Sequence, residues 1–181
     1  MQNIYAFILL MFIGSASFAQ KFYTSSAVIT FTSEAPMEKI VSNNKMVTCI
    51  VNTPTRDMAF KVIMKSFQFD RQGIYDHFNN DYTESDKFPN ATFQGKIINE
   101  IDFSKNGTFR VTVEGQLIIH GVVKPIKETG TVEISEGKIM IKSIFNILLS
   151  DYGIRVPADF IKRISNTVQL NVNAVLTPYV R

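Results

Sequence analysis

Histidine and carboxylate side chains are the groups of this chain whose types and spacing could support chemistry. The two histidines are His77 and His120, and imidazole is the side chain that changes its charge near neutral pH. Carboxylates gather around His77, where they could serve acid–base catalysis or bind a cation. These carboxylates are Asp76, Asp81, Glu84 and Asp86. Their spacing lacks the glycine and the terminal glutamate of a calcium loop, so we interpret them as a solvated acidic loop. A hydrolase or isomerase working at the two histidines is kept as an alternative.

Known catalytic and metal-binding motifs do not occur elsewhere in the sequence. There is no G-x-S-x-G elbow, no phosphate-binding or dinucleotide-binding glycine loop and no H-E-x-x-H helix. The cysteine and histidine residues do not have the spacing of a zinc site. We therefore predict that the protein is not an enzyme, has no catalytic residue, binds no metal and needs no cofactor.

Cys49 is the only cysteine, so the chain cannot form an intramolecular disulfide. It lies in the apolar run VTCIV, and its immediate neighbours include no basic residue that would activate a thiol. We interpret it as a small buried apolar side chain. The stability of the protein must then come from burial.

The first residues are typical of a secretory signal peptide. An apolar stretch from Ile4 to Ile13 is followed by small residues, with Ser17 and Ala19 at the −3 and −1 positions of a cleavage site. The stretch is shorter than the roughly 20 residues that a membrane-spanning helix needs. We predict that residues 1–19 are a cleaved signal peptide, that residues 20–181 form one domain, and that the protein is periplasmic or secreted. Because residues 1–3 contain no Lys or Arg, an uncleaved anchor is the alternative.

The charge of the chain argues against nucleic acid as a partner. The formal net charge is +3, and the basic residues are dispersed rather than gathered in one block. Transient contact with an anionic membrane surface stays open. So does the oligomeric state, including a homodimer.

Apolar residues recur with a period of two over many segments, which is typical of β-strands with one buried face. In one such segment, Phe109, Val111 and Val113 alternate with polar residues. The segments predicted as strands are residues 22–32, 46–53, 58–67, 91–103, 108–121, 126–135, 138–149 and 166–177.

Turn residues and breaks in the pattern indicate how these strands are joined. Asn106 with Gly107, and Glu136 with Gly137, predict the tight turns of two hairpins. Residues 73–82 and 157–166 break the pattern and are each predicted to form a short helix across a barrel mouth. Eight antiparallel strands that each have an apolar face are satisfied by closing into an all-β barrel.

The interior of an eight-stranded barrel is either filled by side chains or holds one small ligand. The predicted inward faces are apolar, and Gly95, Gly115 and Ser143 leave room at intervals. The periodicity by itself favours a packed interior, but it does not decide between a packed barrel and one that holds a ligand.

A series of short motifs runs along the chain in a fixed order. They are ITFTSEAPMEKI at 29–40, FKVIMKSFQF at 60–69, HFN at 77–79, KFP at 87–89, ATFQG at 91–95, HGV at 120–122 and LTPY at 176–179. In order and spacing they resemble the YceI-like family of exported, lipocalin-like proteins associated with polyisoprenoid lipids. Where that family commonly has an acidic residue, a Met and a Thr, this chain has Asn80, Thr83 and Val123.

The resemblance implies an eight-stranded antiparallel lipocalin-like β-barrel with a hydrophobic tunnel for one ligand, an isoprenoid lipid or a quinone. The tunnel residues that it implies are Phe60, Val62, Met64, Phe67, Phe93, Phe109, Val111, Val113, Leu117, Phe145 and Ile147. The rim residues that it implies for a polar head group are His77, Tyr82, His120 and Tyr152.

From these features we predict an exported lipid-binding protein that carries or sequesters a long apolar ligand. The alternative is a packed, stress-related or interaction barrel that acts through its loops without a lipid.

Overall fold

Strands with one apolar face make up most of residues 21–179, the part of the chain that the computed structural model describes. The predicted signal peptide, residues 1–19, lies outside the described residues. The strands are β1 (Lys21–Glu34), β2 (Lys39–Asn52), β3 (Asp57–Ile63), β4 (Phe67–Gln68), β5 (Asn90–Ile97), β6 (Gly107–Ile119), β7 (Val122–Ser135), β8 (Lys138–Leu148) and β9 (Thr167–Pro178).

Within residues 21–179, helical structure is confined to short segments between the strands. Helix α1 (Gln72–His77) continues directly into a π-helical turn, Phe78–Tyr82. Three 3₁₀ turns complete the set: Met64–Ser66, Leu149–Tyr152 and Ala158–Phe160. No helix in residues 21–179 has the length and apolar character needed to cross a membrane.

Eight of the strands form one antiparallel sheet that closes on itself. The order around the barrel is β1-β9-β8-β7-β6-β5-β3-β2, and β2 pairs with β1 to complete the circle. The two-residue strand β4 pairs with β2 beside this ring. The prediction of an eight-stranded antiparallel barrel is therefore confirmed.

Strand β2 begins at Lys39, seven residues before the predicted start at residue 46. The added part contains the polar residues Ser42 and Asn44, which are fully buried and hide the alternation of apolar residues. The Ser42 hydroxyl donates to the carbonyl of Gln68 at 2.7 Å, and the Asn44 amide donates to the carbonyl of Ile63 at 2.8 Å. Buried hydrogen bonds replace apolar packing here.

The tight turn predicted at Asn106 and Gly107 is wrong, although β5 and β6 do pair with each other. β5 ends at Ile97 rather than at residue 103, and a long loop leads to β6. The loop is held by Asn99, whose side chain accepts a hydrogen bond from the Thr112 amide at 2.6 Å. In contrast, the tight turn at Glu136 and Gly137 is confirmed, and both have the positive φ angles, 51° and 70°, that such a turn requires.

Of the two predicted helices, the first is confirmed and the second is only a 3₁₀ turn. The first helix is anchored to the barrel because the side chain of Phe78, directly after it, is buried at the barrel end. In the second, Phe160 and Ile161 remain 44% and 60% exposed, so no apolar face anchors a longer helix.

Both ends of the barrel are filled with side chains. Below α1, four aromatic rings pack with centroid distances of 5.0–6.3 Å. These rings belong to Phe31, Phe67, Phe69 and Phe78. At the opposite end, the fully buried side chains are Val51, Ile97, Ile139 and Leu176. Unfilled space is therefore confined to the middle of the barrel.

Candidate functional site

An internal cavity of about 160 Å³ lies between the two filled ends. Its wall is almost wholly apolar and includes Met58, Met64, Val132 and Leu170. An engineered protein cavity of similar size, about 150 Å³, holds benzene. The interior is therefore not fully packed, although its free volume is smaller than the ~300 Å³ or more of a typical ligand pocket.

Ten of the eleven residues named as tunnel residues contribute to the wall of this cavity. They are Phe60, Val62, Met64, Phe67, Phe93, Val111, Val113, Leu117, Phe145 and Ile147. The exception is Phe109, which is half-buried near the start of β6 and packs against the core at the filled end. Contact of the ten residues with a ligand stays a prediction.

The two glycines expected to leave room in the interior do not leave it empty. Gly95 and Gly115 face each other across the β5–β6 ladder. A Cβ atom on Gly115 would lie 2.8 Å from Cε2 of Phe93, and one on Gly95 would overlap the same ring. The ring of Phe93 therefore occupies the space that the glycines create.

His120 connects three segments at the end of the barrel near α1. Its Nε2 atom lies 2.6 Å from Oε2 of Glu84, and its Nδ1 atom lies 3.2 Å from the carbonyl oxygen of Tyr152. The ring of Phe88 packs edge-on against the imidazole, with centroids 4.5 Å apart. His120 does not contribute to the cavity wall, so its contacts are with the protein itself.

His77 lies on the outside of α1, away from the cavity wall. Its Nδ1 atom is 2.6 Å from Oδ2 of Asp81, and both side chains are exposed. Tyr82 follows in the π-helical turn, where burial and the charge of Asp81 raise the pKa of its phenol. The two histidines therefore pair with different carboxylates, and neither histidine reaches the cavity.

The acidic residues around His77 do not share a site. Asp76 accepts a hydrogen bond from Gln72 at 2.8 Å, and Asp86 pairs with Lys65 at 2.5 Å. Within residues 21–179, no group of three or more His, Cys, Asp or Glu side chains is placed to hold a metal ion.

Cys49 is a free, fully buried cysteine in β2. Burial raises the pKa of its thiol far above the usual range. A neutral thiol is a poor nucleophile, so Cys49 acts as an apolar side chain.

The wall of the barrel is interrupted between β7 and β8. Their ladder ends at the pair formed by Gly130 and Ser143. Beyond this pair, residues 122–129 of β7 pair with β6 and residues 144–148 of β8 pair with β9. No ladder pair joins these two stretches in the described part of the chain. We call this gap, flanked by residues 122–129 and 144–148, the side opening.

The side opening lies against the cavity, because residues on both sides of it contribute to the cavity wall. Thr129 and Lys142, at its base, are exposed, whereas the other residues of the cavity wall are buried or half-buried. The Ser143 hydroxyl donates to the carbonyl of Thr129 at 2.7 Å and closes the base of the gap. Above the base, the outward side chains of Val123 and Ile144 are 53% and 60% exposed.

Glu128 is a carboxylate in the otherwise apolar cavity wall, and sequence reasoning did not single it out. In the alternating pattern of β7 it falls on the same inward face as Val132 and Ile134. This position in the pattern could have identified it from the sequence. Within residues 21–179, its carboxylate has no hydrogen-bond or ion-pair partner. Burial raises the pKa of Glu128. Its charge also contributes, after burial and Asp151, to the raised pKa of the Tyr152 phenol.

Comparison with solved structures agrees with this architecture. A polyisoprenoid-binding domain from Saccharophagus degradans, implicated in plant cell wall breakdown, has a TM-score of 0.75 at 15% identity, covering 89% of this chain and 99% of that one. BcnA from Burkholderia cenocepacia has a TM-score of 0.70 at 16% identity, with coverages of 83% and 96%. A YceI protein from Campylobacter jejuni has a TM-score of 0.60 at 20% identity, with coverages of 74% and 82%. At these identities, the likeness establishes the fold.

Sequence comparison establishes the family. No curated protein sequence matches the chain significantly. The family model of the YceI-like domain, however, matches residues 9–176, which is most of the chain. This protein therefore belongs to the YceI-like domain family.

Proposed function

We propose that this chain is an exported lipid-binding protein that holds a polyisoprenoid-type or other long apolar ligand. The observation that carries the proposal is the apolar wall of the cavity, built from aromatic, aliphatic and methionine side chains of the barrel strands. Burying a methylene group contributes roughly 0.8 kcal/mol, so an apolar chain binds such a wall without polar contacts. The polyisoprenoid-binding domain from Saccharophagus degradans, which shares this fold, supports the choice of ligand.

A long chain needs more room than the 160 Å³ of the cavity as it stands. Two features allow the wall to yield. Met58 and Met64 have unbranched side chains that change shape at little cost, and at the side opening β7 and β8 are not paired with each other. We propose that the ligand displaces these side chains as it enters.

We further propose that the protein works in the periplasm or outside the cell after removal of residues 1–19, and that it carries or sequesters its ligand without changing it. The apolar stretch from Ile4 to Ile13 supports export. The absence of both histidines from the cavity wall supports binding without catalysis.

Native mass spectrometry tests this proposal. The full-length gene is expressed in an exporting host, and the protein is purified without detergent and extracted with organic solvent. We expect a mature mass that begins at Gln20, together with a stoichiometric adduct that extracts as a prenyl lipid or quinone. A protein that stays unliganded, even after incubation with prenyl lipids, would contradict lipid binding. A retained leader would contradict cleavage.

The second candidate is a packed barrel that acts through its loops without a lipid. It is favoured by the small free volume and by the ring of Phe93, which fills the space above Gly95 and Gly115. A hydrophobic fluorescent dye separates the two functions. A lipid carrier takes up the dye and releases it to a prenyl chain, whereas a packed barrel does neither.

A further inference from the structure

We propose that the polar end of the ligand lies in the side opening beside Glu128, and that the protein therefore prefers an uncharged, hydrogen-bonding end group, such as an alcohol, over a diphosphate. This inference rests on the proposed function. It adds the position of the end group and the chemistry that selects it.

The side opening is the part of the cavity that can accept a polar group. One end of the barrel is closed by the ring cluster around Phe78, and the other by fully buried aliphatic side chains such as Ile97 and Leu176. The exposed residues of the cavity wall, Thr129 and Lys142, both lie at the base of the side opening. A ligand whose chain fills the cavity can keep its polar end hydrated at this interruption of the wall.

Glu128 lies at the boundary between the cavity wall and the side opening. It is the one carboxylate of the cavity wall, and its oxygens have no partner among residues 21–179. An ionised carboxylate accepts a hydrogen bond from an alcohol, and a protonated one donates to an oxygen. Either state gives an uncharged end group a hydrogen bond. The ionised state repels a diphosphate, which carries the same sign of charge.

The neighbouring charges do not cancel this preference. Lys124 shares the inward register of β7 but lies four residues away, about 13 Å along a strand. Lys142 alternates with the inward residues of β8, so its side chain is exposed to solvent. Salt therefore screens its attraction for a phosphate. Asp151, in the 3₁₀ turn, is also negatively charged, and, after burial, the charges of Asp151 and Glu128 both raise the pKa of the Tyr152 phenol.

The test compares a C20 prenyl alcohol with its diphosphate by competition against a hydrophobic dye. The proteins are wild type, Glu128→Gln and the matched control Glu133→Gln, which removes the same charge from the outward face of β7. Each ligand is compared between proteins, so differences in ligand solubility cancel. We expect Glu128→Gln to raise the affinity for the diphosphate about tenfold and to change that for the alcohol less than about threefold. Glu133→Gln should match wild type.

Three results would overturn the inference. If wild type binds both ligands and Glu128→Gln changes neither, the end group lies elsewhere while lipid binding stands. If Glu133→Gln has the same effect as Glu128→Gln, net charge rather than position selects the ligand. If wild type binds neither ligand and no dye, the proposed function fails and this inference fails with it.

Lys142→Glu is a second variant that does not alter the cavity wall above the base of the side opening. It adds negative charge where the end group is proposed to emerge. We expect it to weaken diphosphate binding at low ionic strength, where the exposed charge is not screened, and to leave alcohol binding unchanged. An unchanged diphosphate affinity would overturn the inference even if Glu128→Gln did not fold.

Discussion

The Nε2 atom of His120 lies 2.6 Å from Oε2 of Glu84, a residue 36 positions earlier in the chain. The other ring nitrogen faces the carbonyl of Tyr152 at 3.2 Å. One imidazole thereby joins the β6–β7 turn, the loop after the π-helical turn and the 3₁₀ turn after β8. We conclude that His120 holds the end of the barrel together.

Loss of this connection should destabilise the fold. We expect His120→Ala to lower the free energy of unfolding by about 1–3 kcal/mol, because the half-exposed Glu84 and the Tyr152 carbonyl lose a partner. Urea unfolding followed by circular dichroism measures the change. His77→Ala is the control, since its pair with Asp81 is exposed and should contribute less than about 1 kcal/mol. Equal effects of the two substitutions would contradict the structural role of His120.

Gly115 should not tolerate a side chain. A Cβ atom there would lie 2.5 Å from the Cα atom of Gly95, and backbone atoms cannot move aside without distorting the sheet. We expect Gly115→Ala to lower the melting temperature by several degrees, in keeping with a loss of about 2 kcal/mol or more. Gly73→Ala in α1 is the matched control, because a Cβ atom there meets nothing within 4 Å. That control should be neutral or stabilising.

Filling the cavity should block ligand uptake. Val111 is buried in the cavity wall, so the ring introduced by Val111→Phe would enter the 160 Å³ space. We expect dye and prenyl-lipid binding to fall about tenfold or more while the circular dichroism spectrum stays unchanged. Val175→Phe makes the same substitution on the outward face of β9, where Val175 is 45% exposed. A similar loss of binding in both variants would argue against a ligand in the barrel.

Tying β7 to β8 across the side opening should slow ligand exchange. Lys127→Cys with Asn146→Cys places two thiols on outward positions that would be opposite if the ladder continued past Gly130 and Ser143. A bismaleimide whose spacer matches the width of the gap bridges them, and the buried Cys49 should not react. We expect stopped-flow dye release to slow about tenfold after cross-linking.

The control for this experiment lies below the side opening. Glu133→Cys with Met140→Cys joins residues that already form a ladder pair, so its cross-link should leave the release rate unchanged. Equal rates before and after cross-linking at residues 127 and 146 would show that the ligand leaves by another route.

The raised pKa of Glu128 predicts a pH dependence of stability. Burial disfavours the ionised form in the folded protein. The folded state is therefore penalised as pH rises through the usual glutamate range, and the penalty vanishes in acid, where the group is neutral in both states. We expect Glu128→Gln to be as stable as wild type in acid and slightly more stable at neutral pH. Unfolding curves at several pH values measure this, and a stabilisation confined to acid would contradict it.

The period-two pattern was enough to predict the eight strands and their closure into a barrel, because each strand has one face in the core. It failed where inward residues are polar. Ser42 and Asn44 hid the first half of β2, since their hydrogen-bond partners lie on other segments that a local pattern cannot show. The loop before β6 was missed for a related reason, because the Asn99 side chain binds the backbone of Thr112.

The cavity wall was predictable for the same reason as the strands, since inward apolar residues must surround any interior space. The side opening was not. It arises because β7 and β8 each keep one neighbour while separating from each other beyond Gly130 and Ser143, and strand pairing is set by contacts distant in sequence. Pro125 is the feature of the sequence that could have indicated this opening. Proline is found mainly at strand edges and bulges, and the predicted strand began just after it.

The side opening also bears on how the protein avoids self-association. Two strand stretches beside the gap have backbone groups without a ladder partner, and such groups can template the addition of a strand from another molecule, as in amyloid. Pro125 has no amide hydrogen to offer, and Lys127, paired with Glu114 at 2.7 Å, places charge on the same stretch. A missing amide hydrogen and a charged side chain both disfavour the addition of a strand at the gap. An interrupted barrel wall thus exposes strand edges, and these two residues make the edges a poor template for a second copy of the chain.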